Sequence, residues 1–176
     1  ITAIFQDPLA ALNPVFTIGQ QINDIIKYSL IKADGKRLTK EEIKNRSIEI
    51  LKKTGMPDPE RILSNYPIQL SGGMRQRVCI SESLSVPANI LIADEPTTSL
   101  DVTIQDQILR LLANLVEEKN ISIILITHTF GIIRELTDRV YVMDAEDNRE
   151  NVKTKELFSN PLHPYTLGLM NALPKL

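Results

Sequence analysis

The sequence of 176 residues has little of several features that would assign it to a specialised class of protein. Its single cysteine, Cys79, excludes an intramolecular disulfide and any metal site built from several cysteines, and a lone thiol suits a reducing compartment. No apolar run approaches the roughly 20 residues that a membrane-spanning helix needs. With 20 basic and 22 acidic residues the net charge is -2, so the chain lacks the basic surplus that binds nucleic acid.

The start of the chain lacks the features of a protein start. Ile1 is not an initiator methionine, and the first residues carry no basic region of a signal peptide. We therefore expect a fragment from which an amino-terminal part is absent. The remaining composition, 43% hydrophobic and 24% charged, is that of an ordinary globular domain with a hydrophobic core.

Helical signals fill residues 14–67. Thr17 with Gln20, and Thr39 with Glu42, have the spacing of capping boxes, in which two side chains satisfy the free amides of a helix start. Isoleucines follow each box at helical spacing, and no strand pattern occurs. This range is therefore predicted to be an α-helical subdomain.

Beyond residue 67 short apolar segments alternate with helical patterns. Such alternation predicts an α/β fold with a parallel sheet and crossover helices. The predicted strands are residues 1–5, 90–93, 121–126 and 140–143. The polar stretch 145–155 is predicted to be a loop or a poor edge hairpin.

Polar side chains follow the predicted strands, at the edge where parallel sheets bind ligands. Asp94 ends a run of four apolar residues, where a carboxylate is costly unless a cation such as nucleotide-bound Mg²⁺ pairs with it. Glu95 comes one residue later, where it can act as general base on a water in line with a terminal phosphate. Gln6 and His128 also follow strands, but each taken alone is a weak signal, since a lone histidine is usually structural.

A second cluster precedes the strand that carries Asp94. Ser71, Gly72 and Gly73 open a helix, so that amide groups and a hydroxyl can approach an anion at its positive end. The three residues alone would read as a plain capping turn, and the carboxylates that follow favour phosphate recognition. Asp101 lies before another helix, where it can be an N-cap, a ligand contact or both.

Together these motifs resemble the nucleotide-binding domain of ABC transporters. The matching segments are the signature at residues 70–74, the Walker B strand at 90–94 followed by Glu95, the Q-loop glutamine Gln6, the D-loop at 99–101 and the switch histidine His128. The resemblance implies an α/β, P-loop NTPase-like core with a parallel sheet, truncated at its amino end. It also implies an inserted helical subdomain at 14–67, the signature, Walker B and switch core at 68–143, and a C-terminal extension at 144–176.

The resemblance also implies the ligands and the residues that hold them. ATP and Mg²⁺ would be the cofactors, and a second ATP-binding subunit would complete each site in a head-to-tail dimer. By that likeness the catalytic residues are Glu95, His128 and Gln6, the nucleotide contacts are Ser71, Gly72, Gly73, Gln76 and Asp101, and the metal contacts are Asp94 and Gln6.

A narrower resemblance is to the ATP-binding subunits of oligopeptide/dipeptide importers. It rests on residues 5–19, on 93–103, and on the Asn-Pro and His-Pro-Tyr-Thr residues within 160–166. It implies transmembrane permease subunits as partners, a peptide-binding protein that acts indirectly, no nucleic acid, and a peripheral position at the cytoplasmic face of the membrane.

Several departures from the family pattern bear on activity. No Gly-x-x-x-x-Gly-Lys-Ser/Thr occurs, so the Walker A cradle for the phosphates is absent, and this chain alone is expected to bind ATP weakly without hydrolysing it. Glu82 lies on a helix that is normally packed, Thr129 replaces a common acidic residue, and polar residues 146–150 replace an apolar strand.

Two alternatives stay open: a truncated docking module without activity, and a soluble ABC protein of repair or translation, which the features at 160–166 disfavour.

Overall fold

A computed structural model describes residues 1–30, 35–144 and 147–171 of the chain, in two compact units. The first unit is Ile1–Ile126 and the second is Thr127–Leu176. Among the described residues, no helix combines the length and the apolar character needed to cross a bilayer.

The first unit is built on a parallel sheet, as predicted. Its strands are β1 (Thr2–Ile4), β2 (Ile90–Asp94) and β3 (Ser122–Ile126), in the order β1–β2–β3. Ile4 pairs with Ala93, and Asp94 pairs with Ile126. The carboxyl ends of all three strands therefore meet at one edge of the sheet.

One side of β3 has no strand beside it in the described part of the chain, where β2 is its only partner. Ile124 and Ile126 on this strand are 52% and 49% exposed. Residues two apart on a strand point to the same face, and parallel strands are usually covered on both faces, so β3 combines an open edge in this part of the chain with an uncovered apolar face.

Six α-helices and a turn of 3₁₀ helix, Pro67–Gln69, complete the described part of the first unit. The helices are α1 (Pro8–Ala11), α2 (Ile18–Ser29), α3 (Lys40–Lys53), α4 (Pro59–Ile62), α5 (Gly72–Leu84) and α6 (Val102–Lys119). Both predicted capping boxes are confirmed, with the Thr17 amide donating to Gln20 and the Thr39 amide donating to Glu42. The prediction missed α1, because a four-residue helix is too short to show a hydrophobic period.

Two hydrophobic clusters meet at α5. One joins α2 and α3 through residues such as Ile22 and Leu51, and it includes Val78 of α5. The other covers the sheet through residues such as Leu91 and Ile108, and it includes Ile80 of α5. The helix that begins with the glycine pair is therefore held by both the helical block and the sheet.

The second unit is a hairpin packed with helices. Its elements are α7 (Phe130–Leu136), β4 (Arg139–Asp144), β5 (Asp147–Lys153), α8 (Thr154–Ser159) and α9 (Pro164–Asn171). β4 pairs with β5 in an antiparallel sheet of two strands, with an irregularity between Val142 and Met143.

The hairpin corrects one prediction and decides between two alternatives of another. The strand predicted at 140–143 pairs antiparallel with β5 instead of joining the parallel sheet. Of the two alternatives predicted for 145–155, a loop or a poor edge hairpin, the structure has the hairpin, because residues 147–153 form β5 and α8 follows. Residues 145 and 146 lie outside the described residues. Cross-strand pairing outweighs the low strand propensity of the polar residues in β5.

Glu150 of β5 joins the hairpin to the loop before α9. The residue is 7% exposed, and its carboxylate accepts hydrogen bonds from the amides of Leu162 and His163 at 2.9 and 3.3 Å and from the Thr166 hydroxyl at 2.6 Å. Burial acts to raise the pKa of Glu150, but these hydrogen bonds stabilise the ionised form and the net shift is downward.

Candidate functional site

One edge of the parallel sheet carries three of the predicted site residues, Gln6, Asp94 and Glu95. Asp94 is the last residue of β2, and the Glu95 amide donates to the Ile126 carbonyl of β3 at 2.9 Å. Gln6 follows β1 by two residues and is exposed. The register of β1 against β2 thus brings the predicted metal and catalytic residues of the first unit together at the strand ends.

The backbone turns sharply at Glu95. Its φ of 45° lies in the left-handed region, which costs a residue with a side chain roughly 1–3 kcal/mol. The Thr98 amide donates to the Glu95 carbonyl at 3.1 Å, and the Thr98 hydroxyl donates to Glu95 Oε2 at 3.0 Å. The turn therefore supplies a hydroxyl that orients the carboxylate predicted to be the general base.

The segment after Glu95 is held by Gln105 of α6. Its side-chain amide donates to the carbonyls of Thr97 at 3.2 Å and Leu100 at 3.0 Å. Between them, Ser99 has a φ of 64°, so this is a second left-handed position in a short loop. Gln105 was missed by the sequence analysis, because its contacts with the loop involve backbone carbonyls that no residue pattern reveals.

Asp101 and Ser71 begin the two helices that flank the site. Asp101 Oδ1 accepts from the Ile104 amide at 2.9 Å, which confirms the N-cap role for α6. Ser71 Oγ accepts from the Met74 amide at 3.4 Å at the start of α5. Both helices thus present free amide groups and a positive dipole end.

Gly73 allows α5 to approach α6 closely. A Cβ at this position would lie 2.7 Å from Ile104 Cγ2, which is nearer than such atoms come in proteins. At Gly72 the nearest atom, Leu100 Cδ2, would lie at an ordinary 3.5 Å. Of the two glycines, the second is therefore required by the packing of the site.

A cavity of about 310 Å³ lies between the two helix starts. It is lined by Ser71, Gly72, Gly73, Met74, Arg77, Ser99, Leu100, Asp101 and Ile104. The structure therefore brings the predicted signature residues together with Asp101. A larger cavity of about 600 Å³ lies at the amino ends of the strands, where none of the predicted site residues is found.

Gln76 is not among the residues that line this cavity, and its predicted contact with a nucleotide stays a prediction. Its side chain is 2% exposed, and its Nε2 has no hydrogen-bond partner among the described residues. Arg77 lines the cavity instead. Helix geometry would have favoured Arg77, because residues four apart share a helix face and Arg77 is four residues after Gly73.

His128 belongs to the second unit, where its side chain is exposed. It follows β3 with only Thr127 between them, as the sequence analysis noted. Its predicted contact with a terminal phosphate stays a prediction.

The described residues hold no cluster of three metal-ligating side chains of the His, Cys, Asp or Glu type. Asp94 and Gln6 can offer one carboxylate oxygen and one amide oxygen at the strand ends. This sparse set fits Mg²⁺, which takes few protein ligands and keeps water and substrate phosphates in its coordination shell. It does not fit a structural zinc site, which needs four protein ligands.

Two family models match the chain. The model described as "ABC transporter" matches residues 1–98. The model described as "Oligopeptide/dipeptide transporter, C-terminal region" matches residues 150–176, a range that begins at Glu150 and contains the loop bound to it.

Curated relatives are similar over nearly the whole chain. The oligopeptide transport ATP-binding protein AppD of Bacillus subtilis is 47% identical over 99% of this chain and 51% of its own length. The dipeptide transport ATP-binding protein DppD of the same species is 44% identical over 100% of this chain and 51% of its own length. The chain thus spans about half the length of the curated relatives it matches.

Solved structures share the fold. The ATP-binding cassette MJ0796 bound to ADP and Pi, a dimer, matches with a TM-score of 0.74 and 27% identity over 87% of this chain and 62% of that one. The cbiO1 protein of Clostridium perfringens, part of the ABC transporter complex cbiONQ, matches with a TM-score of 0.73 and 30% identity over 90% of this chain and 59% of that one.

Proposed function

The chain belongs to the ABC transporter family, and on that premise we propose that it forms the signature, Walker B, Q-loop and switch parts of an ATP-hydrolysing subunit. The observation that carries the proposal is that one unit contains both the cavity between the helix starts at Ser71 and Asp101 and a sheet edge that presents Asp94 and Glu95. We further propose oligopeptides or dipeptides as the cargo of the importer, on the match over residues 150–176 and on the named relatives.

Glu95 is the residue that would take the proton from the attacking water. Its carboxylate follows β2 directly and is oriented by the Thr98 hydroxyl at 3.0 Å. Asp94 and Gln6 would hold Mg²⁺, which when bound with ATP neutralises charge on the phosphates. His128 would contact the terminal phosphate, as the family resemblance implies.

The signature cavity would serve the nucleotide of a partner subunit. Its amide groups, the Ser71 hydroxyl and the positive ends of α5 and α6 suit phosphate oxygens. A head-to-tail dimer would set this cavity opposite the partner's phosphate loop, so two subunits would build each site. In the same proposal residues 14–67 are the helical subdomain, 68–143 the core and 144–176 the C-terminal extension.

The first experiment uses the purified chain of 176 residues. The chain contains no Gly-x-x-x-x-Gly-Lys-Ser/Thr, so it lacks the Walker A cradle for the β- and γ-phosphates. Calorimetric titration with ATP and a phosphate-release assay are expected to show weak binding and no turnover. A robust ATPase rate from this chain would contradict the proposal that hydrolysis needs a Walker A cradle, which this chain lacks.

The second experiment tests the roles of Glu95 and Ser71 in the subunit that carries this chain. Glu95→Gln is expected to abolish hydrolysis while ATP-driven dimerisation, measured by gel filtration, persists. Ser71→Ala is expected to reduce hydrolysis by the partner subunit without changing ATP affinity in its own site. Full turnover by the Glu95→Gln variant would remove Glu95 from the base role, and an inactive wild-type subunit would favour a docking module.

Permease subunits are the proposed membrane partners. Leu9, Val15 and Phe16 follow Gln6 and are 45%, 72% and 48% exposed, so they offer an apolar surface near the site. On this proposal the subunit is peripheral at the cytoplasmic face, and a peptide-binding protein acts only through the permease. Val15→Glu is expected to reduce copurification with the permease, whereas unchanged copurification would place the contact elsewhere.

A further inference from the structure

Arg77 connects three elements around the signature cavity. It lies on α5, and its Nη1 donates to the Thr54 carbonyl just after α3 at 2.6 Å. Its Nη2 donates to Gln107 Oε1 on α6 at 2.8 Å. Arg77 is also one of the residues that line the cavity, so a single residue joins the cavity wall to the end of α3 and to α6.

The end of α3 is shaped to receive this guanidinium. Gly55 follows the C-cap residue Thr54 with a φ of 70°, the conformation that ends helices and that glycine adopts without strain. A Cβ on Gly55 would lie 2.7 Å from Arg77 Nη1, so the absent side chain is also what lets the guanidinium approach. The carbonyl that it binds lies at the negative end of the α3 dipole, which favours a cation.

A second hydrogen bond joins the same two helices one turn further along α5. The hydroxyls of Thr54 and Ser81 lie 2.8 Å apart, and both residues are fully buried. Arg77 and Ser81 are four residues apart and share a helix face. Thr54 is therefore bonded to α5 at two successive positions, through its carbonyl and through its hydroxyl.

We propose that Arg77 is a positioning residue of the signature site. By binding Thr54 and Gln107 together it fixes the signature turn, which begins α5, relative to α3 of the helical block and to the helix that follows Asp101. A displacement of the helical block is thereby passed to Ser71 and Gly73. The inference rests on the proposed function in one respect, namely that the cavity receives the partner's nucleotide.

Arg77→Lys separates the positioning role from charge. Lysine keeps the positive charge but has one nitrogen in place of a planar fork, so it cannot satisfy Thr54 and Gln107 at once. In the subunit, kcat for ATP is expected to fall about tenfold while ATP affinity in the subunit's own site is unchanged. The matched control is Arg110→Lys, since Arg110 is exposed on α6, where it pairs with Asp106 one turn earlier. This control should leave both values unchanged.

Hydrogen exchange on the purified chain gives a readout that does not depend on ATP. Arg77→Lys is expected to speed amide exchange over residues 71–76 several-fold, which is the size of effect expected from losing one hydrogen bond to a charged group. The control Arg110→Lys should leave exchange over these residues unchanged. Ser81→Ala removes the hydroxyl contact with Thr54 and the bond from the same hydroxyl to the Arg77 carbonyl, but leaves the Arg77 guanidinium in place. It should change exchange in the same direction by a smaller factor.

The outcomes separate this inference from the proposed function. Wild-type turnover or unchanged exchange in Arg77→Lys, with an active wild-type subunit, would refute the positioning role alone. A wild-type subunit without ATPase activity would refute the proposed function and the role that depends on it. Loss of ATP affinity in the subunit's own site would also overturn the inference, because Arg77 would then act on the wrong nucleotide.

Discussion

Glu82 makes the stability of the first unit depend on pH. It lies on α5, and its Oε1 is buried without a hydrogen-bond partner among the described residues. Burial disfavours the carboxylate and raises the pKa of Glu82 from 4.5 to about 7. The folded chain therefore keeps this proton in a pH range where the unfolded chain releases it.

The sign and size of the effect follow from that difference in bound protons. Because the folded state binds the extra proton, stability falls as pH rises from 4.5 to 7 and then levels off. A difference of about 2.5 pKa units corresponds to about 3 kcal/mol, of which about 2.5 kcal/mol is lost between pH 5 and pH 8. Below pH 4.5 the folded and the unfolded chain both hold the proton on Glu82, so burying this side chain no longer lowers the free energy of unfolding.

Glu82→Gln tests this reasoning, because glutamine has nearly the same shape and carries no charge at any pH. Urea unfolding followed by circular dichroism at pH 5 and pH 8 is expected to show a variant more stable than the wild type by about 3 kcal/mol at pH 8 and by under 1 kcal/mol at pH 5. Glu117→Gln, at an exposed glutamate of α6, serves as the control and should follow the wild type. Parallel pH dependence for the wild type and Glu82→Gln would refute the argument.

Three further predictions concern residues described above. Burial, with a smaller effect of Glu82, raises the pKa of Cys79 to about 12. The folded chain should therefore resist labelling by iodoacetamide at pH 8, while the chain unfolded in urea should react. Equal labelling of the two states would contradict this. Glu150→Gln should destabilise the loop before α9 by about 1–3 kcal/mol and speed its proteolysis, unlike Glu156→Gln on the exposed face of α8. Gln105→Ala should speed amide exchange over 97–101, and unchanged exchange would exclude its role in holding the loop.

The predictions that succeeded depend on local signals. The capping box of Thr17 and Gln20 involves residues three apart, so its pattern is complete within one turn of helix. The parallel sheet was predictable for a similar reason, because each strand is a short apolar run between helical patterns. The placement of Asp94 and Glu95 then follows from the general rule that parallel strands present ligands at their carboxyl ends.

The features that were missed depend on contacts between distant residues. Arg77 bonds to residues 23 and 30 positions away, and Glu150 bonds to residues up to 16 positions away. β5 is polar and becomes a strand because β4 pairs with it and because its buried carboxylate is satisfied from outside the hairpin. The composition of β5 shows neither of these partners, so the sequence left a loop and a poor edge hairpin as alternatives for this stretch.

The apolar edge of β3 has a practical consequence for studies of this chain in solution. β3 pairs with β2 on one side only in the described part of the chain, and Ile124 and Ile126 are half-exposed, so its other side is a template for another strand, including one from a second molecule. We expect dimers and larger species that form with rising protein concentration and without nucleotide. Lysine at position 124 should suppress them, which would allow association through strand edges to be told apart from association driven by ATP.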